Sequence, residues 1–186
     1  MLKLKINEIF YSIQCEGRNA GMPTIFIRLS GCNLSCDFCD TRHQHGRYMD
    51  TAMILGRLNR FKHCKNVVIT GGEPTMQDCD SLANLLQKHR YYVAIETNGT
   101  GFLNTGCYDW ITVSPKRGTQ LITKTCSEVK VIYQGQSVKH WLDRIIADYY
   151  YLQPCSMKNI KATINAVKKS SRWRLSLQCQ KLIDIR

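Results

Sequence analysis

The chain is organised around the stretch Gly31-Cys32-Asn33-Leu34-Ser35-Cys36-Asp37-Phe38-Cys39-Asp40-Thr41, which directly follows the apolar run Thr24–Leu29. Its three cysteines have the spacing C-x3-C-x2-C, and no fourth cysteine follows at nearby spacing. Three thiolates on so short a loop can bind three irons of a [4Fe–4S] cube. The fourth iron is then open to a small molecule, which indicates a site for chemistry more than a simple electron relay.

Other interpretations of these cysteines stay open on the spacing alone. His43 or His45 could complete a Cys3His zinc tetrahedron, because zinc accepts the same thiolate ligands. The thiols could also be unligated. A structural disulfide fits less well, since three is an odd number and so tight a loop strains the bridge geometry.

Length and composition predict one domain, residues 1–186, with a sizeable core. The chain is 44% hydrophobic and 22% charged, as is usual for a soluble globular protein. No apolar run approaches the ~20 residues that cross a bilayer, and the N-terminus lacks the apolar core of a signal peptide. We therefore expect a cytoplasmic protein without a membrane partner, in which clustered cysteines among the ten bind metal or do chemistry.

The net charge of +12 admits more than one partner. A basic chain can bind nucleic acid, but the aromatic interleaving typical of a single-strand binder is not visible. A solvated surface or an anionic small substrate accounts for the charge equally well. Nucleic acid is therefore not the expected partner.

Extended runs alternate with helical periods along the whole chain. The predicted extended segments are 3–13, 24–29, 66–70, 92–97, 110–113, 128–133, 149–152 and 173–178. Predicted helical faces lie at 54–61, 82–86, 138–146 and 157–167, the last capped by Ser156. Strands bounded by helices predict right-handed βαβ units and a parallel sheet.

Polar or glycine-rich residues follow the carboxyl end of strand after strand. In a (βα) barrel these ends share one face, where ligands bind. About six such strands are too few for a closed eight-stranded barrel of ~250 residues. The sequence therefore predicts an α/β fold, a shortened, partly open (βα)6-type barrel of parallel strands with an N-terminal strand extension.

Together with the cysteine loop, the turns Gly71-Gly72-Glu73-Pro74 and Ser114-Pro115-Lys116 resemble the radical S-adenosylmethionine (SAM) superfamily. That superfamily holds a [4Fe–4S] cluster on C-x3-C-x2-C and the methionyl amine of SAM on a G-G-E-P turn. Glycines without Cβ allow backbone to approach a ligand, and Glu73 or backbone carbonyls can accept from an ammonium. These turns favour the cluster over zinc, because a structural zinc site does not require them.

Longer blocks resemble the 7-carboxy-7-deazaguanine synthases within that superfamily: 8–17, 21–29, 31–34, 39–41, 95–100, 114–116, 152–154 and 173–178. The resemblance implies a carbon–nitrogen lyase that turns 6-carboxy-5,6,7,8-tetrahydropterin into 7-carboxy-7-deazaguanine, a queuosine precursor. A 5′-deoxyadenosyl radical would take a hydrogen from pterin C6, after which the ring contracts and ammonia leaves. It further implies Mg2+, a homodimer and an external one-electron donor such as flavodoxin or ferredoxin.

The resemblance also assigns residues by their place in the matching blocks. The implied cluster ligands are Cys32, Cys36 and Cys39, and the implied Mg2+ ligand is Thr41. The implied substrate contacts are Ile13, Gln14, Cys15, Glu16, Arg28, Thr70 and Arg186. The implied SAM contacts are Phe38, Cys39, Asp40, Gly72, Glu73, Glu96, Ser114, Pro115, Lys116, Gln153, Pro154, Cys155 and Ser156.

Two of these residues have simpler explanations. Thr41 could cap a helix. Arg28 lies in an otherwise apolar strand, where an unpaired guanidinium is costly, so it either binds the substrate carboxylate or pairs internally with Glu16 or Glu73.

The chain departs from the family pattern at three places. Cys15 stands where the family has glycine, Gln180 where it has histidine, and Cys155-Ser156 where it has Met-Asp. These changes bear on the substrate more than on the radical chemistry. One alternative function is a radical SAM activase of a protein partner, which would use the same cysteine spacing. The other is a zinc-stabilised nucleic-acid-binding protein, which the net charge of +12 would suit.

Overall fold

The protein is built on one nine-stranded sheet in the computed structural model, which describes residues 2–186. The strands are β1 Lys3–Ile13, β2 Pro23–Leu29, β3 Arg47–Asp50, β4 Asn66–Gly71, β5 Tyr92–Thr97, β6 Trp110–Val113, β7 Thr125–Tyr133, β8 Ile146–Pro154 and β9 Trp173–Leu175. The α-helices are α1 Thr51–Leu58, α2 Cys79–Lys88, α3 Lys139–Arg144 and α4 Ile160–Lys168.

The sheet runs in the order β3-β1-β2-β4-β5-β6-β7-β8-β9. Every pair from β2 to β9 is parallel, whereas β1 is antiparallel to both β2 and β3. Within residues 2–186 the edge strands β3 and β9 do not pair with each other. The predicted α/β fold, a partly open barrel of parallel strands, is thereby confirmed.

Alternation along the strands separates a core face from a cavity face. On β4 and β5, the fully buried Ile69 and Ile95 belong to the core cluster with Ile54 and Leu82 of the helices. Their neighbours in sequence point the other way, because successive side chains of a strand alternate between faces. Thr70 and Glu96 thus face the inside of the open barrel.

A missed strand and a wrong helix cap separate the structure from the sequence prediction. The strand β3 was not predicted, since its four residues pair antiparallel with β1 and carry only Met49 as a buried side chain. Ser156 does not cap a helix: its φ of 47° lies in the left-handed region, and α4 begins at Ile160.

The helix predicted through 138–146 is also shorter than expected. It ends at Arg144, and Ile146 already belongs to β8, where its side chain is exposed. Apolar spacing alone cannot distinguish the last turn of a helix from the first residues of the strand that follows it. No helix in the described part of the chain is both long and apolar enough to span a bilayer.

Candidate active site

A cavity of about 360 Å³ opens at the carboxyl ends of the parallel strands. The seven side chains predicted to contact substrate all line it: Ile13, Gln14, Cys15, Glu16, Arg28, Thr70 and Arg186. The three cysteines of the loop after β2 line the same cavity. Residues that are far apart in the sequence are therefore brought to one site by the barrel.

The cysteine loop is fixed at its base by close backbone packing. The N–H of Gly31 donates to the carbonyl of His43 at 2.9 Å, and the N–H of Glu73 donates to the carbonyl of Gly31 at 2.8 Å. A Cβ on Gly72 would lie only 1.8 Å from the Gly31 carbonyl oxygen. Glycine is therefore required where the turn after β4 passes the loop.

The thiols themselves have few protein partners. Cys32 accepts from the N–H of Leu34 at 3.4 Å, and Cys39 is exposed. In residues 2–186 no three His, Cys, Asp or Glu side chains converge as a single-ion site requires. A four-iron cube takes its thiolates at separate corners, so three soft ligands in one cavity wall fit it. His43 lines the cavity, whereas the carbonyl of His45 accepts from Ser30.

Glu73 of the Gly-Gly-Glu-Pro turn braces two strand ends. Its carboxylate is buried and accepts four hydrogen bonds, from the N–H and hydroxyl of Thr75, the hydroxyl of Thr97 and the N–H of Asn98. The distances run from 2.6 to 3.1 Å. Glu73 does not line the cavity, and the part of the turn that does is Gly71-Gly72.

The remaining residues predicted to contact SAM divide into three groups. Those that line the cavity are Phe38, Cys39, Asp40, Gly72, Glu96, Ser114, Lys116, Gln153, Cys155 and Ser156. Pro115 lines a second cavity of about 730 Å³ that shares Cys36, Phe38 and Lys116 with the first. Pro154 ends β8 and lines neither cavity.

Lys116 is half-buried beside the cysteine loop. Its ammonium donates to the carbonyl and hydroxyl of Ser114 at 2.6 and 2.8 Å. Burial lowers the pKa of Lys116, and the neighbouring Cys36 thiol opposes this change. The lysine thus presents its charge next to the thiols at low solvent exposure.

Arg28 has a cross-strand partner that the sequence did not identify. Its Nε donates to Glu8 at 2.8 Å, because Glu8 lies directly opposite it in the antiparallel register of β1 and β2. The predicted pairing with Glu16 or Glu73 was therefore wrong. Its Nη1 lies 3.5 Å from the hydroxyl of Thr41, which caps no helix, since α1 begins at Thr51 behind its cap Asp50.

Arg186 reaches the same corner from the end of the chain. It also pairs with Glu8, and both arginines lie over the ring of Phe10, with guanidinium carbons 5.7 Å (Arg28) and 4.9 Å (Arg186) from its centroid. Two guanidinium groups share one carboxylate, so this corner keeps excess positive charge. It is suited to a ligand that carries a carboxylate.

Glu16 collects four donors on the opposite side of the cavity. Its Oε1 accepts from Gln178 at 3.2 Å and Gln180 at 2.8 Å, and its Oε2 accepts from Lys130 at 2.6 Å and Gln153 at 3.1 Å. Burial alone would raise the pKa of Glu16, but Lys130 and the amide donors lower it to about 2. Glu16 is therefore a carboxylate at neutral pH.

Lys130 is a member of this cluster that sequence reasoning missed. It is 4% exposed and lies in β7 between Val129 and Val131. The signal was present, since a lone lysine inside an apolar strand requires a buried partner. Its partner is distant in sequence and could not be chosen without the fold.

The three departures from the family pattern also lie in the cavity wall. The amide nitrogen of Gln180 donates to Glu16, and the Oε1 of Gln180 is buried without a partner among the described residues. Cys15 is buried, and burial together with nearby Cys179 and Glu16 raises the pKa of its thiol. Cys155 and Ser156 lie at the mouth that follows β8.

The chain is similar to known proteins along nearly its whole length. A family model described as Radical SAM superfamily matches residues 26–147. The 7-carboxy-7-deazaguanine synthase of Bacteroides thetaiotaomicron is 46% identical over 98% of both chains. That of Neisseria meningitidis serogroup B is 36% identical over 97% of this chain and 93% of its own. The crystal structure of QueE from Escherichia coli superposes with a TM-score of 0.81 at 30% identity, covering 95% and 94% of the two chains.

Proposed function

The chain belongs to the 7-carboxy-7-deazaguanine synthases of the radical SAM superfamily, and on this premise we propose that it converts 6-carboxy-5,6,7,8-tetrahydropterin to 7-carboxy-7-deazaguanine with loss of ammonia, on the way to queuosine. One observation carries the proposal. The three thiols of the cysteine loop and the side chains predicted to bind the pterin line one cavity. A reactive group held at the loop therefore lies next to the bound substrate.

Membership in the superfamily implies a [4Fe–4S] cluster and SAM. Cys32, Cys36 and Cys39 would hold the cluster, and the bound pair supplies the one-electron chemistry that starts the reaction. Gly72 keeps the turn after β4 close to the loop, because no Cβ intervenes. Lys116 offers a half-buried ammonium to a carboxylate at the same wall.

The substrate carboxylate is assigned to the corner of Arg28. The terminal nitrogens of Arg28 can bind it in the bidentate manner of a guanidinium. Thr41 lies beside Nη1 and provides a hard oxygen, so Mg2+ is proposed at this point, shared between Thr41, waters and substrate oxygens. Arg186 adds a second positive charge there.

The pterin ring is assigned to the side of Gln14. Gln14 is buried, its Nε2 donates to Glu96 at 3.0 Å and its Oε1 accepts from the N–H of Glu16 at 3.2 Å. The ring edge has both N–H donors and acceptor nitrogens, which fixed amides and carboxylates can distinguish. Thr70 lies between this side and the Arg28 corner, next to Arg28 in the parallel register.

Assembly, redox partner and location belong to the same proposal. We expect a homodimer, reduction by a flavodoxin or ferredoxin, and a cytoplasmic single-domain enzyme. All ten cysteines are free thiols, the state that a reducing compartment maintains.

The test is anaerobic turnover. Reconstituted protein is incubated with SAM, dithionite, Mg2+ and 6-carboxytetrahydropterin, and we expect 7-carboxy-7-deazaguanine by mass spectrometry. Omission of Mg2+ should lower the rate. If SAM is cleaved and no deazaguanine forms, the substrate assignment is wrong and the activase alternative gains.

A further inference from the structure

Lys130 lies between two carboxylates in the wall of the cavity. Its ammonium is 2.6 Å from Glu16 Oε2 and 3.5 Å from Glu96 Oε1, and its side chain is 5% exposed. Burial alone would lower the pKa of Lys130, but Glu16 and Glu96 raise it above the ordinary value. A buried cation of this kind is stable only while its partners stay ionised.

Each carboxylate in turn fixes amide side chains. Both oxygens of Glu16 are fully occupied, since four donors fill the acceptor capacity of a carboxylate. Glu16 therefore acts on a ligand through the glutamines it holds. The amide nitrogen of Gln180 donates to Glu16. The buried Oε1 of Gln180 is then an acceptor without a partner in the described chain. The amide nitrogen of Gln14 donates to Glu96, and its Oε1 accepts from the N–H of Glu16.

We infer that Lys130 is a positioning residue, which holds Glu16 and Glu96 as oriented carboxylates and thereby sets the donor and acceptor pattern that Gln14 and Gln180 present to the ligand. The identity of that ligand as the pterin rests on the proposed function. A protonated Glu16 would lose its pure acceptor character, and the amides could then reverse. The ammonium of Lys130 contacts the two glutamates, so Lys130 acts on the ligand through them.

Other charged groups surround this cluster and must be separated from it. Glu128 on the same strand accepts from the N–H of Arg18 and from Thr112. Asp40 shares Gln178 with Glu16. The remaining titratable neighbours are Cys15, Lys116 and Lys181. Because Lys130 also lowers the pKa of Glu128, its loss alters more than one carboxylate, and a Glu16→Gln change is needed to assign the altered titration to Glu16.

The kinetic test compares Lys130→Met with Lys130→Arg. We expect Lys130→Met to lower kcat/KM for the pterin on the order of 100-fold, since loss of substrate orientation has costs of that size. Lys130→Arg keeps the positive charge and should recover part of the loss. Lys168→Met, on the exposed end of α4, is the matched control and should behave as wild type.

The second test follows the ionisation of Glu16 through the pH dependence of unfolding, and it needs no cofactor. In the wild type, Glu16 contributes stability above its unfolded pKa, and this contribution is lost as the pH falls toward about 2. In Lys130→Met, burial raises the pKa of Glu16 above its unfolded value, so the sign reverses. Urea unfolding from pH 4 to 7 should show the variant losing stability relative to wild type as pH rises.

A double variant keeps the inference open to refutation even if Lys130→Met folds poorly. Lys130→Met with Glu16→Gln removes both charges, so it should be more stable than Lys130→Met and should lose the reversed pH dependence. A double variant no more stable than the single one, or a pH dependence unchanged from wild type, would overturn the inference. If wild type makes no deazaguanine, the proposed function fails, and the unfolding data still decide the role of Lys130.

Discussion

The two walls of the cavity differ in how completely the chain satisfies its own polar groups. On the Glu16 wall, each oxygen of Glu16 accepts two hydrogen bonds and the charge of Lys130 is matched. The buried Oε1 of Gln180 is left there as an acceptor without a partner in the described chain. On the cysteine-loop wall, the thiols have few partners, and Cys39 is exposed. The first wall is preorganised by the protein itself, whereas the second is suited to a group that comes from outside.

The difference indicates how the two walls share the work. The wall that reads a substrate needs fixed donors and acceptors, and rigid hydrogen bonding supplies them. The wall that holds a cluster needs thiolate sulfurs that are open to iron, and hydrogen bonds to those sulfurs tune the cluster. The following experiments perturb one wall and ask whether the other responds.

The largest effect is expected on the cysteine-loop wall. Cys36→Ala should abolish deazaguanine formation, because a thiolate ligand of the cluster is lost. Iron and sulfide content and the visible absorbance should fall with it. Cys107→Ala, which removes a buried thiol outside the cavity, is the matched control and should keep iron and activity. A Cys36→Ala protein that still makes product would contradict the assignment.

The next largest effect is expected at the corner of Arg28 and Arg186, to which the substrate carboxylate is assigned. Arg28→Lys should raise the KM for the pterin by about 10- to 100-fold, since one bidentate charged contact is worth roughly 1.5–3 kcal/mol and lysine cannot reproduce it. The affinity for SAM should not change. Arg174→Lys changes a guanidinium that lies over Tyr149 instead, and it should leave both constants alone. Equal effects of the two variants would contradict the assignment of Arg28 to the substrate carboxylate.

An effect of similar size, on stability instead of substrate binding, is expected where Glu73 braces the turn between the walls. Glu73→Gln replaces two acceptor oxygens by one and sets an amide against the donors of Thr75, Thr97 and Asn98. The free energy of unfolding should fall by about 2–3 kcal/mol in urea titrations. Asp78→Asn, an acid-to-amide change at the cap of α2, should cost little because asparagine also caps helices. An equally small change for Glu73→Gln would show that its four contacts contribute no net stability.

The smallest effect concerns Asp40, which lies where the walls meet. Burial alone would raise the pKa of Asp40, but Lys181 at 2.5 Å and Gln178 lower it. Its contribution to stability is therefore present above the unfolded pKa and is lost as the pH falls below it. Since the pair is half exposed, Lys181→Met should reduce the stability at pH 7 by at most about 1 kcal/mol. The difference from wild type should shrink toward pH 3, and a constant difference would argue for packing alone.

Much of the fold was predictable from the sequence because its signals are local. β1 and β5 have the predicted ends, since apolar alternation and the turns Gln14–Gly17 and Asn98-Gly99 mark them. β3 was missed because its pairing depends on β1, more than 40 residues earlier in the chain. The predicted helix cap at Ser156 was wrong because a serine gives no sign of the left-handed turn that is found there.

The site divides in the same way. The cysteine loop and the glycine turn are short motifs, so their residues could be named in advance. The pairing of Arg28 with Glu8 and the position of Lys130 in the cavity wall depend on strand register and on which strands are neighbours in the sheet. Spacing in one sequence does not contain that information, because both pairings join residues that only the sheet brings together.

The central claim is that one cavity joins the cluster loop to the wall that reads the pterin. The most direct measurement uses 6-carboxytetrahydropterin deuterated at C6 in an anaerobic reaction with SAM, followed by mass spectrometry of the 5′-deoxyadenosine. The account predicts that the 5′-deoxyadenosine gains deuterium together with formation of 7-carboxy-7-deazaguanine. Deuterium-free 5′-deoxyadenosine alongside intact labelled pterin would contradict it.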